Sequence, residues 1–361
     1  MDIFLLLSVV IYGFFILFII SGLFRHVSTD FSSKENLPCV SIVIAARNEE
    51  ETLPSLIEDL SNQNYPSDKL EIIIVNDRSI DKTSELLKKV AQRHAFFKSI
   101  TITETSLEMT PKKNALNKGI LESSGEIIIS TDADCRVGES WVLSMVNSTL
   151  ESNGISIGFS KISASSFFEK YQLIDFLGII VSNAGACGWG KFWSGTGQNL
   201  AYFRDDYDKI NGFEPVKDDV SGDDMYLVQS ITKIKTGFIN TDQKSYVETK
   251  PLKTLKSFLN QRVRWASNSR KNLKSNKLFF AFLSSAFLYN TLLLLSFLFG
   301  NNWFLPFLMK YFLEGLVLFL GGKLFSTRID FIVYTLWALF QPIYIPFIAI
   351  MGLRNKFSWK P

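Results

Sequence analysis

The residues best placed to do chemistry stand at the end of an apolar run, where Ile127-Ile128-Ile129-Ser130-Thr131 leads into Asp132-Ala133-Asp134. Side chains at i and i+2 of an extended segment point the same way. Asp132 and Asp134 can therefore converge on one hard divalent cation, Mg2+ or Mn2+, which in turn can hold a diphosphate. Taken alone, an Asp-x-Asp pair also fits a solvated turn. Other polar groups follow apolar runs elsewhere in the chain. Asp77 ends Ile72-Ile73-Ile74-Val75-Asn76 and offers an acceptor to a base N–H, while Glu49 lies in Ala46-Arg47-Asn48-Glu49 after the first such run. Lys112 begins a helical pattern, where a cation and free backbone N–H groups suit a phosphate. Asp223 and Asp224 also stand at an expected helix start, where the helix dipole favours acids whether or not they react. Gln261-x-x-Arg264-Trp265 lies in a basic stretch, where Trp and Arg also serve as interfacial anchors.

These groups need a scaffold that brings strand ends together. From Val40 the chain alternates short apolar runs with amphipathic stretches. Strands are expected at 40–46, 71–76, 98–103, 126–131 and 154–160, and helices at 50–62, 81–93, 114–123, 139–151 and 165–182. Alternation of this kind implies an α/β domain with a doubly wound, mostly parallel sheet, whose strand mouths gather the functional loops. After the amphipathic 165–182 stretch comes a glycine-rich, aromatic loop, Gly185 to Gly197, with Trp189 and Trp193.

Composition points to membrane segments around this domain. The chain is 47% hydrophobic, with 32 Phe, yet 20% charged, a mixture that fits a soluble domain plus apolar spans. Ile3–Leu23 is long enough to cross a bilayer, and Leu278–Phe299, Trp303–Leu320 and Phe331–Leu353 permit up to three more spans. Between them, residues 250–277 carry nine Lys or Arg and no Asp or Glu, a juxtamembrane basic belt. With Arg25-His26, this belt places the sheet domain in the cytoplasm and the N-terminus outside, in a multi-pass protein of the cell membrane. Three full C-terminal spans would leave Arg354, Lys356 and Lys360 outside, against the positive-inside tendency; Pro342 and Pro346 offer an alternative, a re-entrant last segment. The expected organisation is an anchor at 1–25, a polar linker at 27–38 and the sheet domain at 38–249. The belt, spans at 278–353 and a tail at 354–361 follow. A net charge of +3 gives no case for a nucleic-acid partner. Three scattered cysteines argue against a disulfide framework, and two histidines are too few for a histidine-rich metal site.

The order of these motifs is more telling than any one of them. Ala46-Arg47-Asn48-Glu49, Val75-Asn76-Asp77-Arg78-Ser79, Lys112 with Ala115-Leu116-Asn117, Asp132-Ala133-Asp134, Asp223-Asp224 and Gln261-x-x-Arg264-Trp265 together resemble the family-2 glycosyltransferases over about residues 40–270. The resemblance implies a nucleotide-diphospho-sugar transferase fold. It also implies that Glu49 and Asp77 hold the base and ribose, that Lys112 and Asp132 lie at the diphosphate, and that Asp132 and Asp134 organise the metal. Asp224 is then the catalytic base with Asp223 beside it. The family's usual acid pair is Glu-Asp, so the residue before the base is shorter here by one methylene. Arg264 can add positive charge at the leaving group, and Trp265 with Gln261 can meet the acceptor. One carboxylate acting as base, with no second one acting as nucleophile, gives inversion at the anomeric carbon, by the logic of glycosidases. The expected activity is transfer from a UDP-linked sugar to a lipid acceptor at the cytoplasmic face. Two rivals are a processive polysaccharide synthase and an inactive membrane scaffold that only binds nucleotide-sugar.

Overall fold

The computed structural model describes residues 2–26, 36–300 and 302–354, which form two compact units. Most of the expected 27–38 linker and residues 355–361 of the expected tail, with Lys356 and Lys360, lie outside the described residues.

The first unit, residues 36–161 and 194–250, is the sheet unit. Its strands are β1 (Val40–Ala46), β2 (Leu70–Asp77), β3 (Phe97–Ile102), β4 (Ile127–Ser130), β5 (Arg136–Val137), β6 (Ile155–Ile157), β7 (Ser160–Ile162), β8 (Leu200–Phe203), β9 (Gly237–Ile239) and β10 (Val247–Thr249). Seven of them form one sheet in the order β3-β2-β1-β4-β8-β6-β9, and a small sheet has the order β5-β10-β7. In the large sheet β1 runs parallel to β2 and β4, and β2 to β3; β8 is antiparallel to β4 and β6. The sheet is thus mostly parallel, with one reversed strand that the sequence pattern did not show. Ile42, Ile44, Ile72, Ile74, Ile127 and Ile129 are fully buried, which is why these runs lack the alternation of a half-exposed strand. The Leu53–Ser61 helix buries Leu53, Leu56, Ile57 and Leu60, an i, i+3, i+4, i+7 stripe, against this core.

Strand order fixes where a ligand belongs. From β1 the chain steps to β2 and β3 on one side, then crosses to β4 on the other, so the sheet reverses direction of winding between β1 and β4. Ligands of open α/β sheets bind outside the carboxyl ends of strands at such a reversal. Glu49 follows β1, Asp77 ends β2, and Asp132 and Asp134 follow β4. The Pro111–Leu121 helix sits close against the sheet at Gly119, where a Cβ would lie 2.5 Å from Val43 Cγ1 and 3.0 Å from Val75 Cγ2. That close approach fixes the helix whose first turn carries Lys112.

The second unit, residues 2–26, 162–193 and 251–354, is helical. Four of its helices are long and apolar enough to cross a membrane: Ile3–Leu23, Lys277–Leu298, Phe304–Leu324 and Phe331–Leu353. The last is one continuous helix through Pro342 and Pro346, where the sequence had left open a re-entrant hairpin. Asp330 caps its start by accepting from the N–H groups of Ile332 and Val333. The amphipathic stretch expected at 165–182 extends over Phe167–Cys187, opens with a capping box at Ser166 and Glu169, and groups with the apolar helices. Its burial is not one-sided: Asp175 and Ala186 are covered as well as Ile174, Leu177, Val181 and Ala184 on the opposite arc. Its C-terminal end meets the Asp2–Leu23 helix backbone to backbone, since a Cβ on Gly22 would stand 1.8 Å from Gly185 O. Gly185, expected in a loop, is therefore helical because this crossing needs a residue without a side chain.

Candidate active site

The ends of β1 and β2 are knitted into one rim. Asn48 Oδ1 accepts from Ile80 N at 2.9 Å, and Asn48 N donates to Ser79 Oγ at 3.0 Å. Glu49 N donates to Thr83 Oγ1 at 2.9 Å, and Glu50 N to Asp81 Oδ2 at 3.1 Å. Asn48 and Arg78, both with φ of 54°, turn the chain sharply to make these contacts possible. Asp81 does more than begin a helix: one of its oxygens accepts from Thr83 N and the other holds the neighbouring loop. Glu49 accepts from Thr52 Oγ1 at 2.7 Å. Buried Asp77 is gripped by the next residue, whose guanidinium donates Nε to Oδ1 at 2.8 Å and Nη2 to Oδ2 at 3.2 Å. Arg47 Nε at this rim is buried with no hydrogen-bond partner, a donor suited to an anionic or carbonyl oxygen.

On the other side of the reversal stands a charged hub. Lys112 Nζ lies 2.8 Å from Asp132 Oδ1. Around Gly197 the hub extends to both members of the acid pair: a methyl there would lie 3.7 Å from Asp223 Oδ2, 3.7 Å from Lys112 Nζ and 3.9 Å from Asp224 Cβ. Burial works against charge on Lys112, but Asp132, Asp223 and Asp224 together outweigh it and raise the lysine's pKa. The acid pair opens the Asp223–Ile231 helix, preceded by Gly222 in the left-handed region at φ 89°. Burial, then repulsion from Asp223, pushes the Asp224 carboxyl up to about 6, although Met225 N at 2.7 Å and Gly197 N at 3.3 Å donate to it. A small cavity borders the acid pair, lined by Val43, Ser130, Gly197, Tyr202, Asp223 and Asp224. Thr110 and buried Lys113 both donate to the carbonyl of Asp219, tying the segment before the acid pair to the helix that carries Lys112.

Asp132 and Asp134 flank buried Ala133 and are themselves partly exposed. No group of three or more His, Cys, Asp or Glu able to hold a metal occurs among the described residues. Two carboxylates suit a Mg2+ or Mn2+ ion that takes its remaining ligands from water and a diphosphate, so the donor set fits such an ion.

Gln261, Arg264 and Trp265 stand on the Leu255–Ser267 helix of the helical unit. Trp265 lies against Phe176, at 5.8 Å between ring centroids, and under the guanidinium of Arg262, at 4.3 Å. Arg262 is not singled out by the sequence, yet it is buried on this helix together with Phe258 and Val263. Its Nε donates to Asp175 Oδ2 at 2.6 Å and its Nη1 to Gln261 Oε1, while Trp337 and Tyr344 also donate to Asp175. The sequence signal for it was an Asp in the middle of an otherwise apolar helical face, which required a buried partner.

The mostly parallel sheet, with its reversal between β1 and β4, is that of the nucleotide-diphospho-sugar transferase fold. Residues 41–211 match the family model described as Glycosyl transferase family 2, and that stretch is a family-2 glycosyltransferase domain. "Probable glycosyltransferase YdaM" of Bacillus subtilis (strain 168) is 30% identical over 270 residues, which is 70% of this chain and 62% of that protein. "Beta-monoglucosyldiacylglycerol synthase" of Nostoc sp. (strain PCC 7120 / SAG 25.82 / UTEX 2576) is 36% identical over 112 residues, 31% of this chain and 23% of the synthase. This chain therefore spans under two thirds of the length of either relative. Among solved structures, the mannosyltransferase PcManGT from Pyrobaculum calidifontis, in complex with GDP-Man and Mn2+, superposes with a TM-score of 0.67 at 18% identity, covering 98% of this chain and 99% of that one. That likeness extends the shared fold to the helical segments.

Proposed function

We propose that the chain is a membrane-bound, inverting, divalent-metal-dependent glycosyltransferase that moves one sugar, or very few, from a UDP-linked donor to a lipid acceptor at the cytoplasmic face. The observation that carries this reading is the hub, which sets a lysine and the Asp132 carboxylate beside an acid pair whose second member has a raised pKa. A sugar hydroxyl is a poor nucleophile until a carboxylate takes its proton, and Asp224 is assigned that task with Asp223 beside it. Lys112 neutralises growing charge on the departing diphosphate. A divalent ion on Asp132 and Asp134 would supply further positive charge there. Glu49 and Asp77 form the rim that meets ribose and base, with Arg78 holding Asp77 until a base N–H replaces it. Arg264, Gln261 and Trp265 are assigned to the leaving group and acceptor. The Mn2+ of the Pyrobaculum calidifontis complex supports the metal, and the glucosyldiacylglycerol in the Nostoc relative's name supports a lipid acceptor. Arg25 and the basic belt support the cytoplasmic orientation.

The test is incubation of membranes holding the protein with a panel of labelled nucleotide-sugars, followed by lipid extraction and mass analysis. A chloroform-soluble product of low sugar count, made from a UDP-sugar and lost on chelation, is expected. A water-soluble polymer made by the protein alone would overturn the lipid acceptor and promote the synthase reading.

A further inference from the structure

The basic belt does not present its charges uniformly. In the short Ser269–Ser275 helix and the start of the next, Arg270, Leu273, Lys274 and Lys277 recur at i, i+3, i+4 and i+7, and all four are exposed, Leu273 by 54%. Asn268, two residues before Arg270, and Asn272, two after it, are buried. This spacing puts Arg270, Leu273 and Lys274 on one stripe of the short helix, and Lys277 follows across a break at Asn276, φ −149°, as the first residue of the next helix. Two more exposed cations, Lys253 and Lys256, flank exposed Leu255 at the start of the preceding helix. No carboxylate side chain occurs in residues 250–313 to neutralise the stripe locally. Lys277 is also the first residue of an apolar helix long enough to cross a membrane.

We infer that the exposed cluster of Arg270, Leu273, Lys274 and Lys277 is a docking surface for the headgroups of anionic phospholipids, with the leucine dipping among the acyl chains. Two features select this partner. A cluster of one sign, with no Asp or Glu in residues 250–313, is complementary to a negatively charged lipid surface. A leucine exposed among cations at the foot of an apolar helix is costly in water and favourable at the headgroup boundary. A nucleic acid would match the charge but gives no use for the leucine. The inference rests on the membrane placement proposed above and on nothing in the transfer reaction. Each cation near an anionic leaflet strengthens binding roughly fivefold, so three should produce a lipid preference well above tenfold at low salt.

The test titrates the full chain in detergent with phosphatidylglycerol or with phosphatidylcholine of the same acyl chains, and counts bound lipids by native mass spectrometry. Wild type should retain phosphatidylglycerol at least tenfold better than phosphatidylcholine. The R270Q/K274Q/K277Q variant should lose most of that preference, whereas K88Q/K118Q/K233Q, which removes as many exposed charges from the sheet unit, should keep it. Should the first variant misfold, wild type in 0.5 M salt gives the same answer, because screening should abolish the preference. Equal retention of the two lipids by wild type, an equal loss in both variants, or a preference that survives high salt would overturn the inference. No nucleotide-sugar enters the assay, so its failure leaves the transferase reading intact, and an inactive enzyme leaves this result standing.

Discussion

Lys112 and Asp132 form an ion pair of 2.8 Å between the first turn of one helix and the segment just after β4, twenty residues apart in the chain. The lysine is shared, because Asp223 and Asp224 also raise its pKa. Removing its charge should therefore harm donor binding more than folding. Lys112→Met is expected to raise the Kd for the nucleotide-sugar about 10- to 100-fold, the loss of one charge-assisted contact of about 1.5–3 kcal/mol. Calorimetric titration checks it. Unchanged affinity would remove Lys112 from the diphosphate site.

Asp224 couples activity to stability. As the base it must be ionised, so kcat/KM should rise as pH passes through about 6 and level off above it. Its folded-state pKa lies above the ordinary carboxylate value, so the folded protein binds the proton more tightly than the unfolded chain does. That contribution is fully present below about pH 4, where both states are protonated, and is lost as pH rises through about 6. Asp224→Asn should thus abolish transfer by two to four decades yet raise stability at pH 7.5 on the order of 1 kcal/mol, a gain that closes towards pH 4. Thermal melts at the two pH values decide it, and a variant less stable at pH 7.5 would contradict the raised pKa.

In the helical unit the half-buried motif residues Gln261, Arg264 and Trp265 adjoin a buried neighbour. Arg262 and Asp175 side chains are 5% and 7% exposed, and they join the Leu255–Ser267, Phe167–Cys187 and Phe331–Leu353 helices through Trp337 and Tyr344. Arg262→Met strands a buried carboxylate and should cost about 3–5 kcal/mol, whereas the double change Arg262→Met with Asp175→Leu should recover most of that loss. Melting temperatures in detergent distinguish the two. Equal loss in single and double variants would mean the pair is not what holds these helices.

The limits of the sequence reading follow from the same contacts. β1 was expected at 40–46 and occupies Val40–Ala46, because an unbroken apolar run buried on both faces has sharp ends. The following helix was expected from 50 but begins at Leu53, since residues 48–50 are spent on hydrogen bonds to Ser79, Ile80, Asp81 and Thr83. Such contacts join segments about thirty residues apart and leave no local pattern. β8 escaped notice because four residues leading into a helix are too short for a period to show. The candidate site residues are read from type and order alone. That Lys112, Asp223 and Asp224 come together around Gly197 is not legible there, because it depends on a backbone position rather than on a side chain.

Gly22 and Gly185 show the opposite case, where a local pattern misleads until packing is known. Gly22 permits the two helices to cross with backbones in contact, as a Cβ there would lie 1.8 Å from Gly185 O and 2.7 Å from its carbonyl carbon. Gly13, on the same helix, has nothing within 4 Å of an added Cβ. Gly13 lies in the middle of the helix and Gly22 in its last turn, so helix propensity alone would make Gly→Val matter no more at Gly22 than at Gly13, and what the new side chain meets decides the difference. Backbone cannot move aside as a flexible side chain can. Gly22→Val should force the helices apart and lower both the yield of monodisperse protein and its melting temperature, while Gly13→Val should match wild type. Size-exclusion chromatography and thermal melts of the two variants side by side provide the measurement. If Gly22→Val behaved as Gly13→Val does, the close crossing of these helices would be ruled out.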